Sequence, residues 1–239
     1  MTSDVATPPP FANTRWSLVA ALGDGTSSQV PLLELCLHNW YPVYSYLRHS
    51  GHTPEGAQEL TRGFFHHLIS NGASHAGATR YGRFRQFLLA ELHSFLSRER
   101  SDELVTTPIA PKSIDELESR QRKDSTHSGS PEQALRRGFA LEIIGGALQS
   151  LRSEAREADR LAMLDLLERF LTTDPKPGEF DHAALQLAVR PVFVVMAVKR
   201  MRERFRELVD VQLGDTVLNT DELSAERQAL FEALARDGA

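Results

Sequence analysis

The chain has 239 residues, a net charge of −5, 41% hydrophobic residues and one cysteine, Cys36. This length suits one large domain or two small ones with real apolar cores. The acidic balance excludes a protein that coats nucleic acid over its whole surface, and a lone cysteine excludes an internal disulfide framework and fits a reducing compartment.

Residues 1–12, with Pro8, Pro9 and Pro10, read as a flexible arm that lacks the basic segment and apolar core of a signal peptide. Trp16, Val19, Ala20 and Leu22 then recur at helical spacing up to Gly23-Asp24-Gly25. No Gly-Lys-Ser/Thr follows, so the glycines mark a helix stop rather than a phosphate loop. Ser28 can cap a second helix running through His38 around Cys36, a buried small hydrophobe in this reading. Trp40-Tyr41-Pro42 turns the chain into a third helix, whose Val43, Tyr44, Tyr46 and Leu47 read as core.

Thr53-Pro54-Glu55 is the clearest helix start, with a capping hydroxyl, a proline in the first turn and an acid at the positive end of the helix dipole. Ala57, Leu60, Phe64, Phe65 and Leu68 form its apolar face. Residues 72–79 read as a loop. The next helix, residues 84–100, turns Phe84, Phe87, Leu88, Leu92, Phe95 and Leu96 inward and carries Arg83, Arg85, Arg98 and Arg100 at its ends.

From 101 to 131 the periodicity fades into Asp, Glu, Ser, Lys and Arg with Pro108 and Pro111, a linker holding one short helix at residues 114–123. Helical patterning returns from Glu132 through Phe139, Ile143, Ala147, Leu148 and Leu151, and again at Leu161, Leu164, Leu167 and Leu171. Gly145-Gly146 weakens that helix by about 1 kcal/mol per glycine, which points to close packing there. After a turn at residues 174–178, Ala183, Ala184, Leu187 and Val189 give a short helix a packed face. Arg190-Pro191 interrupts it, and a long helix follows in which Val194, Val198, Met201, Phe205 and Leu208 make one apolar stripe. Its other side carries Lys199, Arg200, Arg202, Arg204 and Arg206 against Glu203. A short helix, a turn and a basic second helix fit a helix-turn-helix, in which the second helix enters the DNA major groove; they also fit a solvated bundle helix.

The expected fold class is therefore all-α: two helical lobes joined by a flexible linker, the second ending in the helix-turn-helix. The boundaries are 13–100 for the first lobe, 101–131 for the linker, 132–213 for the second lobe and 214–239 for a C-terminal extension. The longest apolar run, residues 191–198, is far below the roughly 20 residues of a membrane span, so a cytoplasmic protein without membrane attachment is expected. No nucleophile with base and orienter can be assembled, and His66-His67 are adjacent rather than one turn apart. No enzyme activity, catalytic residue, cofactor or metal site is expected.

Two stretches carry a family resemblance. Trp40-Tyr41-Pro42, the run from Thr53-Pro54-Glu55-Gly56-Ala57 to Gly63-Phe64-Phe65, and Gly82-Arg83-Phe84-Arg85-Gln86-Phe87-Leu88-Leu89 resemble the second region of extracytoplasmic-function sigma factors. Residues 181–208, ending Val198-Lys199-Arg200-Met201-Arg202-Glu203-Arg204-Phe205-Arg206-Glu207-Leu208, are similar to the fourth region's helix-turn-helix. The resemblance implies a sigma factor whose partners are bacterial RNA polymerase core and promoter DNA, the first lobe opening the minus-ten element and the second reading the minus-thirty-five element. An anti-sigma factor or a Ser/Thr kinase is a further candidate partner.

It also implies sites. Arg190, Val195, Lys199, Arg200 and Arg202 fall at DNA-contacting positions of the second lobe; Arg83, Arg85, His93, Arg98 and Arg100 fall on the strand-contacting side of the first. Glu55, Gln58, Glu59 and Arg62 lie on the face that docks polymerase, where the family's acidic run is thinned by Gly56, Gln58, Arg62 and Gly63. A phosphate on Thr61 would restore the lost negative charge there, whereas an unmodified Thr61 would bond back to the preceding turn. A second class of function stays open at this level. Val192, Phe193, Val195 and Met196 would form an apolar patch, so the recognition helix of a degenerate sigma-like scaffold would bind a protein instead of DNA; burial of Val195 and Met196 would remove that argument.

Overall fold

The computed structural model describes residues 11, 14–21, 29–70, 80–98, 112–124 and 129–235. Among these the chain is all-helical: eleven α-helices and one 3-10 turn, with a single isolated β-bridge between Arg83 and Val217. It divides into two compact units, one made of residues up to 142 together with 213 onward, the other of residues 143–212.

The first unit contains α1 (Arg15–Ala21), α2 (Gln29–His38), α3 (Trp40–His49), α4 (Pro54–Ser70), α5 (Phe84–Arg98), α6 (Ile114–Asp124), the start of α7 (Pro131–Glu157) and α11 (Thr220–Ala235). Asn39 alone separates α2 from α3, its side-chain amide donating to the Leu35 carbonyl at 2.8 Å. Pro42 sits in the first turn of α3, where a missing N–H costs nothing. The aromatic side chains expected in the core are there: Trp16, Trp40, Tyr41, Tyr44, Phe64 and Phe84 are fully buried, as is Cys36. Trp16 meets Phe84 edge-on at 5.4 Å and Trp40 stacks on Phe65 at 5.4 Å. Thr53 caps α4 as its sequence requires, Oγ1 accepting from the Gly56 N–H at 3.1 Å. Gly138 of α7 is a glycine of necessity, because a Cβ there would lie 2.9 Å from the Pro42 Cα.

The linker expectation needs correction. The short helix it allowed is α6, which docks on α3: Leu117 is buried, Arg48 donates to both Glu118 oxygens at 2.7 and 3.2 Å, and the Tyr44 hydroxyl donates to Glu118 at 2.6 Å. Tyr41 donates to Asp124 at 2.5 Å while the Arg120 guanidinium lies 3.7 Å over the Tyr41 ring. Burial and the Asp124 carboxylate both raise the Tyr41 pKa, so the phenol stays a donor. Residues 114–124 thus belong to the first unit; 101–111 lie outside the described residues, as does the N-terminal arm apart from Phe11.

The C-terminal extension is corrected in the same way. Leu213, Thr216 and Val217 are buried in the first unit. The Trp16 N–H donates to Asp215 O at 2.9 Å, Phe84 N–H to Thr216 O at 2.8 Å and Leu218 N–H to Gly82 O at 3.1 Å. Helix α11 follows, capped by Asn219 Oδ1 on the Glu222 N–H, and Glu226 on its inner face is 1% exposed. Arg85 grips that carboxylate at 2.9 and 3.2 Å, and Arg83 pairs with Glu222 and reaches Glu226 at 3.7 Å.

The second unit is built from the rest of α7, α8 (Leu161–Leu167) with the 3-10 turn Glu168–Leu171, α9 (Glu179–Gln186) and most of α10 (Pro191–Gly214). The α10 stripe packs inward through Val194, Val198, Met201 and Leu208, with Phe205 half-buried. Packing at the glycine pair is close at Gly146, where a Cβ would stand 3.0 Å from the Gln212 Oε1. Helix α7 ends in a Schellman turn: Asp159 takes φ +53, Arg160 N–H bonds Ala155 O at 2.7 Å and Asp159 N–H bonds Arg156 O at 3.1 Å. No single helix among the described residues is long and apolar enough to cross a membrane; α9 and α10 pass only as a bent pair, by length and composition.

Candidate nucleic-acid interface

Helix α9 also ends in a Schellman turn. Val189 N–H bonds Ala184 O at 3.0 Å and Ala188 N–H bonds Leu185 O at 3.2 Å, with Ala188 at φ +52, a conformation that costs a non-glycine residue roughly 1 kcal/mol. The turn spends residues 187–190 on a change of direction, and α10 leaves at 100° to α9. Ala183 and Ala184 are buried as the sequence indicates, but the left-handed turn carries Val189 out to 42% exposure, against the packed position expected of it.

The five DNA-contact candidates of this unit separate into two kinds. Arg190, Val195, Lys199 and Arg200 are exposed. Arg190 lies over the Phe193 ring at 5.3 Å, and Lys199, with a side chain 77% exposed, has Glu203 at 3.9 Å on the next turn. Arg202 points elsewhere: its Nε donates to Phe170 O at 2.6 Å and its terminal nitrogen to Thr173 O and Asp174 Oδ1, each at 3.1 Å. It closes the turn that ends α8 and is a structural staple rather than a base reader. Arg204 is likewise held, by Glu154 at 2.6 and 2.9 Å and by Glu207 at 2.7 Å. The Arg204 hydrogen bonds hold the Glu154 carboxyl below the usual carboxylate range.

An apolar surface adjoins the exposed cations. Leu185, Val189, Val192, Phe193, Val195 and Met196 are 42–80% exposed. Val195 and Met196, at 46% and 45%, are not covered by another helix, so the observation that would have closed the protein-partner alternative is not made.

In the first unit the strand-contact candidates also part company. Arg83 and Arg85 are committed to Glu222 and Glu226, which sequence reasoning could not see at separations of 139 and 141 residues. His93 and Arg98 are exposed, with His93 Nε2 3.0 Å from the Tyr46 hydroxyl. Arg100 lies outside the described residues. Of the polymerase-docking candidates, Glu55 and Glu59 are exposed and Arg62 is half-buried, while Gln58 is taken up by α6's approach, donating to Lys112 O at 3.3 Å.

Thr61 does not stand on that face. It is 0% exposed, its Oγ1 donating to Ala57 O at 2.7 Å. The buried seam of α4 runs Ala57, Thr61, Phe64, Phe65 and Leu68, and Leu60, expected in it, lies half-buried at the edge. A kinase cannot reach this hydroxyl in the folded helix, and the phosphate-switch expectation is withdrawn. No group of three or more His, Cys, Asp and Glu among the described residues is placed to hold a metal ion. No family model matches the chain, and no curated protein or solved structure is similar to it at a significant level.

Proposed function

We propose that the chain is a sigma-type initiation factor that joins bacterial RNA polymerase core and carries it to promoter DNA through α9 and α10. The observation that carries this reading is the 100° step from α9 to a long α10, with Arg190 exposed in the turn before it and Lys199 and Arg200 exposed along its leading half. A helix-turn-helix uses this range of angles and presents the start of its second helix to the groove. Lysine and arginine there neutralise phosphates, and Val195 offers an apolar contact that suits a thymine methyl group. Glu55 and Glu59 remain for the polymerase, and His93 with Arg98 for an unpaired strand. The sequence resemblance over most of residues 14–100 and 132–212 supports the same assignment.

The test is transcription in vitro with purified bacterial polymerase core and a promoter library. Factor-dependent transcripts from a definable promoter set are expected; failure both to bind core and to yield transcripts would overturn the reading.

The exposed patch favours one second reading, a sigma-like scaffold whose α10 binds a protein. The two are separated on promoter fragments selected in that experiment. If α10 reads DNA, alanine at Arg190, Lys199 and Arg200 together weakens binding and reduces its salt dependence. If it docks a protein, that variant is silent and Val195→Asp with Met196→Asp destroys function.

A further inference from the structure

The second unit contains a half-open cavity of about 440 Å³ lined by the end of α7, α8 and the leading half of α10, within the roughly 300–1,000 Å³ range of small-molecule sites. Its wall is apolar, with Leu151, Leu164, Met163, Met196 and Met201 supplying much of it. Methionine thioethers adapt their shape to a guest. The lining includes one carboxylate, Glu154, and it is already committed to Arg204 at 2.6 and 2.9 Å.

Two other cations line the cavity while remaining exposed, which places them at its rim: Arg160, fixed by the Schellman turn after α7, and Arg200 of α10. Among the described residues neither guanidinium has an ion-pair or hydrogen-bond partner. The site therefore combines an apolar interior with two uncompensated positive charges and forked donors suited to a carboxylate.

We propose that this cavity binds an amphipathic carboxylic acid of small-molecule size, its chain among the methionines and its carboxylate between Arg160 and Arg200. Charge complementarity decides the class. A neutral apolar guest would leave both guanidiniums unused, and a cationic one would be repelled by them. Met196 and Arg200 also lie on the face assigned above to DNA, so an occupied cavity lowers promoter affinity; that consequence alone rests on the DNA reading.

The chain contains four methionines, and three of them, Met163, Met196 and Met201, stand in the cavity wall. Labelling their methyl groups with carbon-13 gives a nuclear magnetic resonance readout of the site in the full-length protein, without DNA or polymerase. Sodium decanoate, titrated below its micelle concentration, should shift the Met163, Met196 and Met201 signals saturably. It should bind at least about ten-fold more tightly than decanol, the carboxylate's charged hydrogen bonds being absent from the alcohol, and decyltrimethylammonium should not bind. Arg160→Ala with Arg200→Ala, both surface changes, should weaken decanoate about ten-fold or more, and Ala155→Trp should fill the cavity and abolish the shifts.

Equal binding of decanol and decanoate, non-saturating shifts, or undiminished binding by the double arginine variant would overturn the proposal. So would shifts produced by an acidic amphipathic peptide but not by decanoate. Loss of promoter binding by the protein, with the methyl titration intact, would sink the DNA reading and leave this one standing.

Discussion

Replacing Glu226 with alanine should destabilise the first unit selectively. Its side chain is 2% exposed and is the common counter-charge for Arg85, 12% exposed, and Arg83, 23% exposed. Removing one partner of a buried pair costs about 3–5 kcal/mol, because the charge left behind has lost both water and counter-ion. Arg83 keeps Glu222 and both arginines keep some solvent, so the lower end applies, about 3 kcal/mol. With a urea slope near 2 kcal/mol/M for a unit of this size, the midpoint should fall by roughly 1.5 M. Fluorescence isolates the unit, since the chain's two tryptophans, Trp16 and Trp40, both belong to it. A Glu226→Leu, Arg85→Met pair should recover much of the loss, as apolar replacements of buried ion pairs commonly do. A midpoint for Glu226→Ala within about 0.25 M of wild type, equivalent to about 0.5 kcal/mol, would refute the claim that this carboxylate clamps α11.

Alanine at Arg190, Lys199 and Arg200 should lower the salt dependence of promoter binding by about three counter-ions, a slope change near 2.7 measured by anisotropy. Arg202→Ala should instead cost about 1.5–3 kcal/mol of stability in the second unit, read by circular dichroism, with base discrimination unchanged. Thr61→Val should lose about 1 kcal/mol on thermal unfolding, whereas Thr61→Asp should lose several, because it buries a carboxylate without a partner. For Glu118, the Arg48 hydrogen bonds hold the carboxyl below its ordinary value of 4.5. A lowered folded pKa means that its stabilisation is complete above that value and is lost as pH falls through the folded value. Acid titration followed by tryptophan fluorescence should show this loss in wild type and a flatter profile in Glu118→Gln.

The sequence announced features whose physics is local. Thr53-Pro54 starts α4, Pro191 starts α10, and the stripe from Val194 to Leu208 faces inward, because cap chemistry and the helical period act within one or two turns. The seam of α4 was misplaced by one position: Leu60 reads as core by composition, but rotation of 100° per residue sets Thr61 in line with Ala57, Phe64 and Leu68. Polar side chains are harder still, since their roles depend on partners far along the chain. Nothing near Arg202 reveals that Phe170 and Thr173 will offer it carbonyls. Nothing near Arg83 or Arg85 reveals α11. The exposed cations Arg190, Lys199 and Arg200 were legible because Arg190 and Lys199 contact only Phe193 and Glu203, three and four residues away, and an exposed surface charge requires no distant partner to be found.

The first unit is interrupted in sequence: residues 143–212 form a unit of their own before the chain returns to supply Leu213, Val217 and α11. During synthesis the ribosome therefore delivers an uninterrupted second unit that can fold as soon as it emerges, while the earlier unit waits for residues 213–235. Until then the N–H groups of Trp16 and Phe84 lack the carbonyls of Asp215 and Thr216, and the aromatic cluster beside them lacks Leu218. A nascent or prematurely terminated chain is thus a sticky one, a natural client for chaperones and proteases, and the same dependence means that a fragment ending near residue 100 is not a faithful miniature of the first unit.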